Sequence, residues 1–201
     1  MRLTDILSEL KQKKPLINLF RNTDIIPDKK LKNLLIHYVE SQHNLQDGEF
    51  FEMVSGLMKL KSKHPELLKP KNGYAYRGTS ITPEMYKKIK KNPTKKEGGI
   101  TVIQAPYTST NDAQSWTYDS KVANAFSSKG LFNNPRLESG GKPAVIRVRI
   151  DDTFVGNPNL TKQISNRLSI KNEKEIFHLG KTIQDAEWLI NSADIELGKF
   201  D

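Results

Sequence analysis

Apolar residues in the first third of the chain recur at helical spacing. Leu3, Ile6, Leu7 and Leu10 fall on one face, with Thr4 as a cap and Pro15 as a stop. A second short helix is expected over 15–21. Pro27 opens a clearer one, with Leu31, Leu34, Leu35, Tyr38 and Val39 forming a stripe over 27–42. Asp47 and Gly48 begin another, whose apolar positions are Phe50, Phe51, Val54, Leu57, Met58 and Leu60. Such stripes are core or packing surface, and none reads as a cofactor box. Lys69-Pro70-Lys71-Asn72-Gly73 breaks the pattern. The pattern predicts an N-terminal helical region over 1–72.

From residue 73 the periodicity shortens. Tyr74 to Gly78 reads as a short strand with an arginine near its end, followed by a turn and a helix around 83–91. Ile100 to Gln104 is expected as a strand, and 107–112 as a polar loop. Ser115-Trp116-Thr117 closes another strand, and Asp119 or Ser120 caps a helix carrying Val122, Ala123 and Phe126 on one face. A Gly, Asn and Ser-rich loop over 129–141 leads to an alternating strand from Ala144 to Ile150. A helix over 160–169 follows, then strands at Glu187 to Ile190 and Asp194 to Leu197. Helices followed by short strands make the class α+β, with 73–201 as one unit.

Composition narrows the chemistry. The 201 residues carry a formal net charge of +9, mostly from lysine. Such a surface attracts polyanions, although no nucleic-acid-binding motif accompanies it. The basic run Lys87, Lys88, Lys90, Lys91, Lys95 and Lys96 is by default a solvated face. There is no cysteine, which removes disulfides and thiolate catalysis. The N-terminal stretch lacks the apolar core of a signal peptide, and no apolar run approaches the roughly 20 residues of a membrane span. A soluble, cytoplasmic protein is expected, with no membrane partner. His37, His43, His64 and His178 are scattered, with no metal-ligand spacing, so no metal is expected. Gly180-Lys181-Thr182 mimics the tail of a phosphate-binding loop but lacks the earlier glycine, since Glu175 stands there.

Three features remain: Tyr76-Arg77-Gly78; Ser115-Trp116-Thr117 followed by Ala123 and Phe126; and an acid-x-Glu leading into an apolar strand. In order and spacing they resemble the R-S-E class of mono-ADP-ribosyltransferases. They also resemble the phage-encoded Mod-type members and related bacterial toxins, which carry comparable helices ahead of the arginine strand. The resemblance covers roughly 74–197. It implies a core of two packed, mainly antiparallel small sheets, NAD+ as co-substrate and a macromolecular acceptor. For a toxin it also implies an inhibitory antitoxin-type protein.

The chemistry matches the residue types. Cleaving the nicotinamide bond develops positive charge on the ribose, which a nearby carboxylate stabilises. An arginine offers a planar fork of donors to a diphosphate. By the resemblance Arg77 and Gly78 hold NAD+, Ser115 orients the glutamate, Thr117 lines the nicotinamide pocket, and Trp116 is pocket wall or core. Two acidic pairs compete for the catalytic position. Glu173-Lys174-Glu175 keeps the intact family pattern, with Ile176 and Phe177 able to begin a strand. Asp185-Ala186-Glu187 has aspartate first but runs straight into Trp188-Leu189-Ile190. We favour Glu187 with Asp185. In the family a first-position glutamate accompanies transfer to arginine, and Asp185 would put that acceptor in doubt. The basic surface then brings in a nucleic-acid acceptor, RNA or DNA. Two other readings compete: a non-enzymatic, basic nucleic-acid-binding protein on a degenerate transferase fold, and an RNA 2′-phosphotransferase. The scarcity of histidine speaks against the second.

Overall fold

The computed structural model describes residues 28–40, 45–127, 141–156 and 175–197. The helices expected over 3–10, 15–21 and 160–169, nearly all of the 129–141 loop, and Glu173 lie outside these residues. The class is α+β, with mainly antiparallel strands. The chain divides into two units. One comprises Met1–Lys71, Asn111–Gln114 and Asp152–Leu179; the other comprises Asn72–Thr110, Ser115–Asp151 and Gly180–Asp201.

In the first unit the amphipathic stripes become two helices, α1 (Lys29–Glu40) and α2 (Asp47–Lys61). Leu31, Leu34, Leu35 and Tyr38 of α1 are buried with Met53, Val54, Leu57 and Leu60 of α2. Each such leucine removed from water contributes about 1.5–3 kcal/mol. Gly56 marks their closest approach, since a Cβ there would lie 2.8 Å from Leu31 Cδ1. The backbone N–H of Gln46 donates to the Glu49 carboxylate at 3.3 Å and so satisfies one donor ahead of α2. A short α3 (Pro65–Leu68) follows. Two strands complete the unit, β7 (Phe154–Val155) and β8 (Glu175–Leu179), paired antiparallel with Phe154 opposite His178 and Val155 opposite Phe177. Lys61 ties α2 to the β7 segment by donating to the carbonyls of Asp152 (2.6 Å) and Phe154 (2.9 Å).

The second unit is a sheet with helices. Its strands are β1 (Tyr74–Ile81), β2 (Thr94–Glu97), β3 (Ile100–Gln104), β5 (Ala113–Thr117), β6 (Lys142–Arg149) and β10 (Glu187–Asn191), in the order β2-β3-β10-β6-β1-β5. The first two residues of β5 belong to the first unit, where the order runs β5-β8-β7. A small separate pair, β4 (Tyr107–Thr108) and β9 (Thr182–Ile183), stands where the sequence predicts a polar loop. Helices α4 (Pro83–Ile89), α5 (Ser120–Ser127) and α6 (Ser192–Glu196) complete the unit. Among the described residues no helix is long and apolar enough to cross a membrane.

Two local expectations are corrected. The arginine strand does not turn at Gly78: it runs on to Ile81, with Ser80 and Ile81 buried and paired to Pro143 and Lys142. Lys95 and Lys96, expected on a solvated basic run, are exposed on strand β2, which joins β3 through Gly98-Gly99. Gly98 sits at φ +61, a conformation glycine adopts without a Cβ clash. Every residue of β2 is exposed at the sheet edge, where lysines discourage pairing with another chain. Finally, 194–197 is not a strand. Asn191 Oδ1 accepts from the N–H of Ala193 at 3.1 Å and starts α6, so an N-cap outcompetes the short apolar alternation.

Candidate functional site

β1 pairs with β6 over its whole length, and β6 pairs with β10 from Glu187 to Ile190. Residues directly opposite in such ladders share a face, and neighbours along a strand point to opposite faces. One row reads Ile103, Trp188, Ile146, Arg77. Its first three members are at most 3% exposed, so Arg77 ends an apolar row. The adjacent row on the other face reads Gln104, Glu187, Arg147, Tyr76, Thr117. It is polar throughout.

Arg77 and Glu187 therefore leave the sheet on opposite faces, on strands separated by β6. The structure does not bring these two predicted site residues together. Glu187 instead belongs to an ion-pair network. Its carboxylate accepts from Arg147 Nε at 2.5 Å and meets Lys95 Nζ at 3.4 Å. Lys95 also pairs with Glu97 at 2.9 Å, and Arg147 with Glu97 at 3.3 Å. The Arg147 guanidinium lies 5.3 Å over the Tyr74 ring, a cation–π contact on the same face. Burial pushes the Glu187 carboxyl up, but the hydrogen bond and charge of Arg147, with Lys95 behind them, outweigh it and hold the group below the ordinary carboxylate range. Asp185 is exposed in the turn before β10, one residue beyond the buried Ala186.

The arginine and hydroxyl strands are direct neighbours. β1 and β5 pair antiparallel with Tyr76 opposite Thr117, and Arg77 Nη1 donates to the backbone carbonyl of Ser115. A guanidinium has further N–H donors in the same plane. Ser115 is partly exposed, and Thr117 is buried with its hydroxyl accepting from the N–H of Asp119 at 3.1 Å. Asp119 in turn accepts from the N–H of Lys121 at 2.9 Å, so the turn into α5 is built from side-chain caps. Trp116 is 2% exposed and meets Tyr107 edge to face at 5.7 Å, which makes it core rather than pocket wall.

Gly78 has a packing role. A Cβ built on it would lie 2.0 Å from the carbonyl oxygen of Ala123 and 2.7 Å from the Ser127 nitrogen. Helix α5 rests directly on the strand backbone there, so a ligand has no room on that side. The Gly–Ala–Phe pattern around Arg77 and Ser115 thus records one close strand–helix contact.

In the first unit, Glu175 opens β8 and is 4% exposed. Its Oε1 accepts from the Tyr38 hydroxyl at 2.6 Å. Sequence reasoning gave Tyr38 only as an apolar position in a helical stripe. Its hydroxyl at the buried end of that stripe was the available signal, because a buried phenol needs a partner. Arg147 was also missed: on an alternating strand it reads as a solvated residue, and nothing local ties it to Glu187 forty residues on. No family model matches the chain, and neither a curated protein nor a solved structure is similar enough to count as a match.

Proposed function

We propose that the protein is an NAD+-dependent mono-ADP-ribosyltransferase that acts on a macromolecular acceptor. The observation that carries this reading is the pairing of the arginine strand with the Ser-x-Thr strand, which turns at once into a helix seated on Gly78. That pairing gives physical form to the motif order by which the sequence resembles the R-S-E class. In this reading Arg77 binds the diphosphate of NAD+ through its guanidinium donors. Ser115 and Thr117 serve the nicotinamide and ribose end.

We assign the catalytic carboxylate to Glu187, with Asp185 as the first acid of the pair and Glu175 as the alternative. Glu187 lies in the same row as Arg147, Tyr76 and Thr117, so the acid and the hydroxyl strand's Thr117 share one face of the sheet. The Glu187 carboxylate stabilises positive charge on the ribose as the bond to nicotinamide breaks and nicotinamide departs with the bonding pair. A nucleophilic atom of the acceptor then bonds to the same ribose carbon and gives up its proton. Asp185 stands at the first acidic position, where a glutamate accompanies arginine acceptors in that class, so the acceptor is a protein side chain or a nucleic acid.

Nicotinamide release from NAD+ by the purified protein tests the assignment. Wild type and Glu175→Gln are expected to turn over, and Glu187→Gln to lose activity by two orders of magnitude or more, on the order of 3 kcal/mol. Retained activity in Glu187→Gln alongside loss in Glu175→Gln would reverse the assignment. No release by wild type in the presence of cell extract would remove the enzyme reading.

A further inference from the structure

The register that sets Glu187 in its polar row also sets the neighbours of that row. Along β1, Tyr74, Tyr76 and Gly78 share one face, and on β6 Arg149 and Arg147 lie opposite Tyr74 and Tyr76. Glu187 lies opposite Arg147 from the other side of β6, so all these side chains rise from one face of the second unit's sheet. The reverse face is core here: Ala75, Ile146, Val148 and Trp188 are at most 3% exposed. At Gly78 helix α5 closes the polar face. Towards the start of β1 that face opens, with Tyr76 half-buried and Tyr74 44% exposed.

The open end combines flat rings with a cation. Alternate residues of a strand stand about 7 Å apart, which is the step from Tyr74 to Tyr76. The Arg147 guanidinium lies 5.3 Å over the Tyr74 ring and steadies it from one side. The carboxylates of Glu187 and Glu97 are met by Arg147 and Lys95. Arg149 is left exposed, with no ion-pair partner among the described residues.

We propose that this face is a docking surface for single-stranded nucleic acid, with a base stacked on Tyr74 and a backbone phosphate on Arg149. Rings on an open sheet face take bases because every base offers a flat surface, and a neighbouring guanidinium suits the phosphate. A duplex keeps its bases stacked inside, so rings set on a sheet reach those of a single strand. The net charge of +9 draws such a polyanion to the chain. With Glu187 on the same face, the docked strand is the acceptor. That step rests on the transferase reading; docking does not.

The test measures, by fluorescence polarisation, binding of the full chain to labelled single strands of about 12 nucleotides, RNA and DNA in separate arms. Binding in either arm is expected, and the tighter arm identifies the sugar. Tyr74→Ala should weaken binding about tenfold or more, and Tyr74→Phe, which keeps the ring, should bind as wild type does. Arg149→Gln should flatten the slope of log affinity against log salt by about 0.7, the loss of one phosphate contact. Lys63→Gln, exposed in the turn after α2, should leave the slope unchanged. Wild-type affinity in Tyr74→Ala, equal slope changes in Arg149→Gln and Lys63→Gln, or no binding to either strand at about 50 mM salt overturns the proposal. With labelled NAD+ and cell extract added, the bound strand should take up label. An unlabelled strand beside labelled extract protein overturns the acceptor step. NAD+ left intact would instead strike the transferase reading and leave the docking surface standing.

Discussion

Gly78→Ala isolates the contact that joins the arginine strand to the helix after the hydroxyl strand. The added methyl would start 2.0 Å from the Ala123 carbonyl oxygen, 2.7 Å from the Ser127 nitrogen and 2.8 Å from Phe126 Cβ. Ordinary contact begins near 3.4 Å, so the helix backbone would have to retreat by about 1.4 Å. The first two obstacles are backbone atoms, which no rotamer change can clear. Overpacking of this kind costs about 1–3 kcal/mol, and an overlap this deep belongs at the upper end. Alanine lowers the entropy of the unfolded chain and returns about 0.4–1 kcal/mol. The net expectation is a loss of about 2 kcal/mol, read as a fall of about 1 M in the urea midpoint for a slope near 2 kcal/mol/M. Gly48→Ala is the matched control, since it lies within α2 with nothing within 4 Å of the new methyl. It should gain up to about 1 kcal/mol. A Gly78→Ala midpoint at or above wild type would show that helix α5 does not rest on this strand as described.

Two further outcomes follow from the same structure. Leu57 is fully buried in the first unit's core, so Leu57→Ala should cost about 2–5 kcal/mol by calorimetry or denaturant titration, and a cost below 1 kcal/mol would contradict that packing. Glu187 has a folded-state carboxyl held below its ordinary value, so its contribution is full above about pH 5 and is lost as pH falls through the folded value. The stability gap between wild type and Glu187→Gln should therefore close on acidification from pH 6 towards pH 3, and a gap independent of pH would rule out the ion pair with Arg147.

The local elements were legible because their signals are local. Leu31, Leu34, Leu35 and Tyr38 announce a helix face, and Ile100 to Gln104 and Glu187 to Ile190 announce strands at the positions found. Gly78 was legible as special but not as what it is, since the chain does not say which helix lies above a glycine. Pairings across long separations were not legible at all. Nothing near Glu187 marks Arg147 as its partner, and nothing near Glu175 marks Tyr38, because sheet order and helix docking create those neighbours. Both acid-x-Glu motifs are followed by apolar strands, so that criterion could not separate them. Register along β1 puts Arg77 on the face opposite Glu187 and Thr117, a relation that no local motif announces.

Transfer of label from NAD+ carrying the isotope in its adenylate half is the most direct measurement of the central claim. Mixed with cell extract, the wild-type chain should leave label bound to protein or nucleic acid, with nicotinamide released in equal amount, and Glu187→Gln should leave neither. Protein and nucleic acid that remain unlabelled, with NAD+ intact after prolonged incubation, would contradict the account.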